Sequence, residues 1–128
     1  MVSAVTSNEF FTISLTLPST YMFSFTKISA YNIRRSSAGP SSFQCQYSVN
    51  GGAFTDIGSA VSAGLITTAA GNPMPEITLS SITPLQNLPS TTTSVEFRMV
   101  MYGATNVSGT FYINISTGND LEIIGTYN

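Results

Sequence analysis

Ser42-Phe-Gln-Cys-Gln-Tyr-Ser-Val-Asn-Gly-Gly-Ala-Phe-Thr-Asp-Ile57 reads as two strands joined by a tight turn. Phe43, Cys45, Tyr47 and Val49 alternate with Gln44, Gln46 and Ser48, the period of a strand with one buried face. Asn50-Gly51-Gly52 follows, and Asn and Gly tolerate the positive φ that tight hairpin turns demand, so Ser42–Ile57 is expected to be a hairpin. Just upstream, Tyr31 and Ile33 alternate with Asn32 and Arg34 until Gly39-Pro40 breaks the run, since proline fixes φ and lacks an amide donor. The strands flanking Gly39-Pro40 are expected to be neighbours.

Working outward, short β-branched and aromatic runs bounded by Gly, Pro, Asn and Ser recur along the chain, and no window sustains a helical period over three turns. The expected strands are Glu9–Leu17, Tyr21–Phe25, Lys27–Arg35, Ser42–Val49, Ala53–Ile57, Glu76–Ser80, Ser94–Tyr102, Thr110–Ile115 and Leu121–Thr126. Gly58 to Pro75 is too rich in Gly, Ala and Pro for one clean strand and reads as a long loop with a short strand at Leu65–Thr67. Pro84 and Pro89 bracket a turn or single helical turn that crosses between sheets, and Gly103–Gly109 is a second prominent loop. The fold class expected is all-β: a two-sheet antiparallel β-sandwich, jelly-roll-like, of eight to nine strands, forming one domain over residues 1–128.

Composition narrows function. Only 8% of residues are charged while 42% are hydrophobic, which calls for a folded chain with a neutral, hydroxyl-rich surface. Four basic residues cannot build the cationic stripe that phosphate neutralisation needs, so nucleic acid is not an expected partner. No apolar run approaches the ~20 residues of a spanning helix, and membrane insertion is not expected. With no His and a single Cys45, the commonest metal ligand is missing and an internal disulfide is excluded; Cys45 is expected to be buried as a small apolar residue. Met1-Val-Ser-Ala-Val lacks a basic and an apolar export region, and the chain is read as an excised mature domain with an added Met1, extracellular or cell-surface in origin.

Period-two alternation assigns the faces. Tyr31, Ile33, Phe43, Cys45, Tyr47, Phe97, Met99, Met101, Phe111 and Ile113 form the expected core. The complementary set, Arg34, Gln44, Gln46, Arg98, Tyr102 and Tyr112, with Asn32 and Asn114, would point outward, and would form one surface if its strands share a sheet. Aromatic rings stack on the C–H face of a pyranose while amides and guanidinium groups bond its hydroxyls, so these six residues are the candidate ligand-binding set, with a glycan as the expected partner. The same residue types also occur on a merely solvated sheet face.

Catalytic arrangements are few. A Ser-His-Asp or Cys-His mechanism needs an imidazole that this chain lacks, so the chain is not expected to be an enzyme. Among the six carboxylates only Asp120 and Glu122 share a strand face at adjacent positions. That pair is read first as a charged edge that discourages sheet-to-sheet aggregation, next as a weak structural calcium site, and last as a glycosidase pair. No other cofactor is expected. Asn106-Val-Ser and Asn114-Ile-Ser match the glycosylation acceptor pattern, which matters only in a eukaryotic secretory host. A neutral, Thr-rich strand over Phe10–Leu17 carries no charge and supports a rival reading, a homo-oligomeric or filament-forming subunit that adds this strand to a neighbour's sheet.

Across Arg34-Arg35-Ser-Ser-Ala-Gly-Pro-Ser-Ser-Phe43, Tyr47-Ser-Val-Asn-Gly-Gly-Ala-Phe54, Val95-Glu-Phe-Arg-Met-Val-Met-Tyr-Gly-Ala104 and Ser108-Gly-Thr-Phe-Tyr-Ile-Asn114, closing on Thr117-Gly-Asn-Asp-Leu-Glu-Ile-Ile-Gly125, the chain resembles a jelly-roll-like, galactose-binding-like β-sandwich module of bacterial extracellular proteins. The likeness runs from Phe10 onward. It implies export, adhesion or another non-catalytic accessory role, and a sandwich fold. Members of that group carry Trp where Phe111 stands and Asp where Asn114 stands, so no site that depends on that carboxylate is carried over.

Overall fold

The computed structural model describes residues 9–64, 70–114 and 121–127. In them the chain forms ten strands: β1 (Phe10–Thr16), β2 (Phe23–Ile28), β3 (Tyr31–Arg35), β4 (Ser42–Val49), β5 (Thr55–Ser62), β6 (Asn72–Met74), β7 (Ile77–Thr78), β8 (Ser94–Tyr102), β9 (Phe111–Asn114) and β10 (Ile123–Tyr127). A single 3₁₀ turn, Thr83–Leu85, is the sole helical element among the described residues. All pairings are antiparallel and build three sheets, ordered β1-β8-β4-β5, β10-β2-β7 and β6-β3-β9. The all-β class read from the periodicity is the class observed.

Pairing on both sides makes β4 and β8 the centre of the four-stranded sheet. Phe97 lies opposite Tyr47 on one side and Ile13 on the other, and Met99 opposite Cys45 and Phe11, so three strands contribute apolar side chains to one face. Both smaller sheets pack onto that face. Phe25 of β2 meets Phe97 edge-to-face at 5.1 Å between ring centroids, while Tyr31 of β3 and Phe111 of β9 meet Phe43 at 6.5 and 6.0 Å. Phe25, Ile33, Phe43 and Val95 are fully buried, each contributing about 1.5–3 kcal/mol by transfer out of water. The ten residues expected in the core all lie in it or pack against it.

The hairpin forms as read: β4 pairs with β5, and Asn50 and Gly51 take φ of 51° and 69°. Asn50 also ties the turn to the start of β8, its Oδ1 accepting from the amides of Thr93 at 2.8 Å and Ser94 at 3.2 Å. Other boundaries differ from expectation. β2 and β3 divide at Ser29-Ala30, not at Thr26, and the register is the same on both sides of the gap: Ile28 faces Ile77 and, three residues on, Tyr31 faces Met74. β6 was not expected because it contains Pro73; it is an edge strand, where a missing amide donor costs no ladder bond. β5 runs on to Ser62, into what reads as loop, and Leu65–Thr67 lies outside the described residues. The turn anticipated between Pro84 and Pro89 is the 3₁₀ turn, which leads from β7 to β8.

The strands flanking Gly39-Pro40 are not neighbours. β3 and β4 belong to different sheets, and the segment between them crosses from one to the other. Arg35 fastens that crossing. It closes β3 on the core side, is 5% exposed, and donates from Nε to the Gly64 carbonyl and from Nη1 to the Gly39 carbonyl. Gly39 in turn packs against the backbone of Thr110, whose carbonyl accepts from the Ser36 amide at 3.1 Å.

Candidate functional site

The six candidate ligand-binding residues do not share one sheet. Gln44, Gln46, Arg98 and Tyr102 belong to β4 and β8 in the four-stranded sheet, on the side away from the aromatic core. Arg34 and Tyr112 face each other across the β3–β9 pair in a separate sheet. The single outward surface expected from the alternation is therefore two surfaces. Tyr112 is exposed on its own patch, and Arg34 is half-buried beside it.

Within the four-stranded sheet, Gln44 does not face solvent as expected. Its Nε2 donates to the carbonyls of Cys45 at 2.9 Å, Ile57 at 3.1 Å and Gly58 at 3.3 Å. The β4–β5 register shifts between Phe43 and Cys45, and Gly58 has φ +62°. A bulge leaves backbone carbonyls without ladder partners, and the Gln44 amide satisfies them, which buries the side chain at 3% exposure.

Gln46 is also buried, but it carries a linkage to the surface. One row crosses all four strands, with Thr12 of β1 opposite Arg98, Arg98 opposite Gln46, and Gln46 opposite Asp56 of β5. Arg98 donates from Nε to Gln46 Oε1 at 2.8 Å, and Gln46 donates from Nε2 to Asp56 Oδ1 at 2.6 Å. The Arg98 guanidinium lies over two rings, 3.7 Å from the Phe54 centroid and 5.1 Å from that of Phe10. Stacking of this kind contributes about 0.5–2 kcal/mol and, more usefully, fixes the guanidinium plane. Two residues along β8, Glu96 accepts at Oε1 from the Ser14 hydroxyl at 2.9 Å.

The result is a cation anchored by one nitrogen with both terminal nitrogens left over. Among the described residues, neither Nη of Arg98 has a hydrogen-bond partner and no carboxylate lies within ion-pair distance of it. The described ion pair is Lys27 with Glu76, at 2.7 Å. Burial lowers the Arg98 pKa from its ordinary value, with Asp56 and Glu96 opposing that shift. Such a group offers a planar, two-pronged donor surface on a face that also carries Asp56 and Glu96.

Phe10, Phe54 and Asp56 are the parts of this cluster not singled out from the sequence. The hairpin turn carried the signal: once Asn50-Gly51 is fixed, pairing places Asp56 opposite Gln46. Of the proposed calcium or catalytic pair, Asp120 lies outside the described residues. Glu122 accepts from the Ser29 hydroxyl at 3.0 Å and, through its carbonyl, from the Ser29 amide at 2.9 Å, which joins the start of β10 to the β2–β3 bend. No group of three or more metal-ligating side chains occurs among the described residues. Cys45 is buried, as read, and burial pushes its thiol up to about 11 while the hydrogen bond with Tyr31 opposes the shift. Among the described residues no helix is long and apolar enough to cross a membrane. No family model, curated protein or solved structure matches the chain.

Proposed function

We propose that this chain is a non-catalytic accessory module of an extracellular or cell-surface bacterial protein, and that it binds a saccharide on the outer face of its four-stranded sheet, centred on Arg98. The observation that carries the reading is the stacked guanidinium with two unpartnered terminal nitrogens, held by Phe54, Phe10 and Gln46. A ligand meets donors already fixed in place, so little side-chain entropy is lost on binding. Tyr102 lies on the same face two residue pairs further along and supplies an aromatic surface; Arg34 and Tyr112 form a separate, secondary patch.

The nested pairings support a jelly-roll sandwich as the finer fold: β4 with β5, then β2 and β3 with β7 and β6, then β1 with β8. β9 and β10 add to the other side of β2 and β3. In this reading the two three-stranded sheets are halves of one bent layer, as the continuous register across Ser29-Ala30 suggests. The kinship with galactose-binding-like modules and the surface location rest on the sequence resemblance.

A broad glycan array tests the proposal. Binding by the wild type that is lost in Arg98→Ala with Tyr102→Ala supports it; an array without signal removes it. The rival, self-assembly by strand addition, is favoured by β1, an edge strand of the four-stranded sheet with no charge and no proline along Phe10–Thr16. Sedimentation at high concentration decides that case, since a strictly monomeric domain removes it.

A further inference from the structure

We infer that the Arg98 site selects neutral saccharides and turns away uronates and other acidic sugars; this rests on the saccharide-binding reading above. An exposed arginine fork invites the opposite conclusion, because guanidinium groups bind carboxylates bidentately. The surrounding charges decide otherwise. The chain has four basic residues, and three of them lie elsewhere. Lys27 is paired to Glu76, Arg34 lies on the β3–β9 patch, and Arg35 is buried on two backbone carbonyls. Among the described residues Arg98 is thus the sole cation of this face, and it shares the face with Asp56 and Glu96, which leaves a local excess of negative charge.

The hydrogen-bond inventory agrees. Arg98 offers donors only, while Asp56 and Glu96, each with one oxygen already engaged, offer acceptors only. A sugar hydroxyl both donates and accepts, so a vicinal pair can bond to the guanidinium and a carboxylate together. A ligand carboxylate accepts only. It would satisfy Arg98, leave the two acceptors unmatched, and bring a third negative charge among them.

The test compares cellohexaose and mannohexaose with hexagalacturonate by calorimetric titration at low salt, about 10 mM, where charge repulsion reaches ~30 Å. The wild type should bind a neutral hexamer at least about tenfold more tightly than the uronate, and Asp56→Asn with Glu96→Gln should shrink that preference to about threefold or less. Both substitutions keep the acceptor oxygens for Gln46 and Ser14. Should the double variant not fold, raising salt to about 0.5 M on the wild type provides the same comparison, with uronate binding strengthening and neutral binding unchanged. Hexagalacturonate binding as tightly as the neutral hexamers overturns the selectivity while the saccharide-binding reading stands. If none of the three hexamers binds, the saccharide-binding reading itself falls.

Discussion

Two arginines in this chain, Arg35 and Arg98, are both ordered by their surroundings and yet suited to opposite tasks. Arg35 lies at the inner end of β3, 5% exposed, with its donors directed at the Gly64 and Gly39 carbonyls. Arg98 lies on the outer face of β8, stacked on Phe54 and Phe10, with Nε on Gln46 and both Nη groups unpartnered among the described residues. Residue type does not separate them; what remains unsatisfied does. A guanidinium bonded to loop carbonyls holds a crossover between sheets, and one held flat by rings retains donors for something else.

Of the two arginines, Arg35 bears more on stability. Arg35→Met fills much of the same volume but orphans two carbonyls in a buried position, and should lower stability by about 3 kcal/mol in urea unfolding while the folded fraction keeps any ligand affinity. An unchanged unfolding midpoint would show that Arg35 is dispensable and the contrast unsound. Alkali offers a second route. Unfolded Cys45 ionises near 9.0, whereas in the fold burial holds its proton to about 11. Stability is therefore full below pH 9 and declines between pH 9 and 11, by about 2–3 kcal/mol for this one group. Burial raises Tyr31 too, and it adds to the loss in the same direction above pH 10. Cys45→Ala should therefore remove much of the decline, and an undiminished decline would point away from the thiol.

Gly39→Ala probes the crossover from its backbone side. A Cβ there runs into the Thr110 carbonyl, an atom that cannot swing aside, and should cost about 2 kcal/mol; thermal unfolding indistinguishable from wild type would mean that the crossover yields easily. Arg98→Ala should have the smallest effect on stability, about 1 kcal/mol or less, since it gives up one hydrogen bond and the stacking at a partly exposed position. At the proposed saccharide site its effect on binding should be complete. A loss as large as that of Arg35→Met would make Arg98 a structural residue after all.

The sequence showed the inner half of the molecule better than the outer. β4 and β8 were found with their boundaries intact because large apolar residues recur at every second position along each and both pair over their full length. β6 was hidden by Pro73, and the end of β5 by Gly58 and its small neighbours, because propensity weighs such residues against strands while an edge position and a bulge accommodate both. On the outer face, parity alone placed Gln44, Gln46 and Arg98 together. It could not tell that Gln44 would be taken up by carbonyls at a bulge, since a bulge depends on the partner strand. The same parity that sent Tyr31 and Ile33 inward also sends Arg35 inward, so its burial was legible, and only the habit of reading arginine as surface concealed it.

β1 and β8 pair across a wide stretch of chain, as the Ser14–Glu96 hydrogen bond spanning 82 positions records. At roughly 5–20 residues per second, a ribosome that has completed β1 needs about 4 to 16 s more to deliver its partner. Through that interval Phe11, Ile13 and Leu15 have no sheet to join, in a segment with no charge to keep it soluble. β1 is thus the strand of this sheet that waits longest for its partner, and its inward apolar side chains stay uncovered until β8 is made.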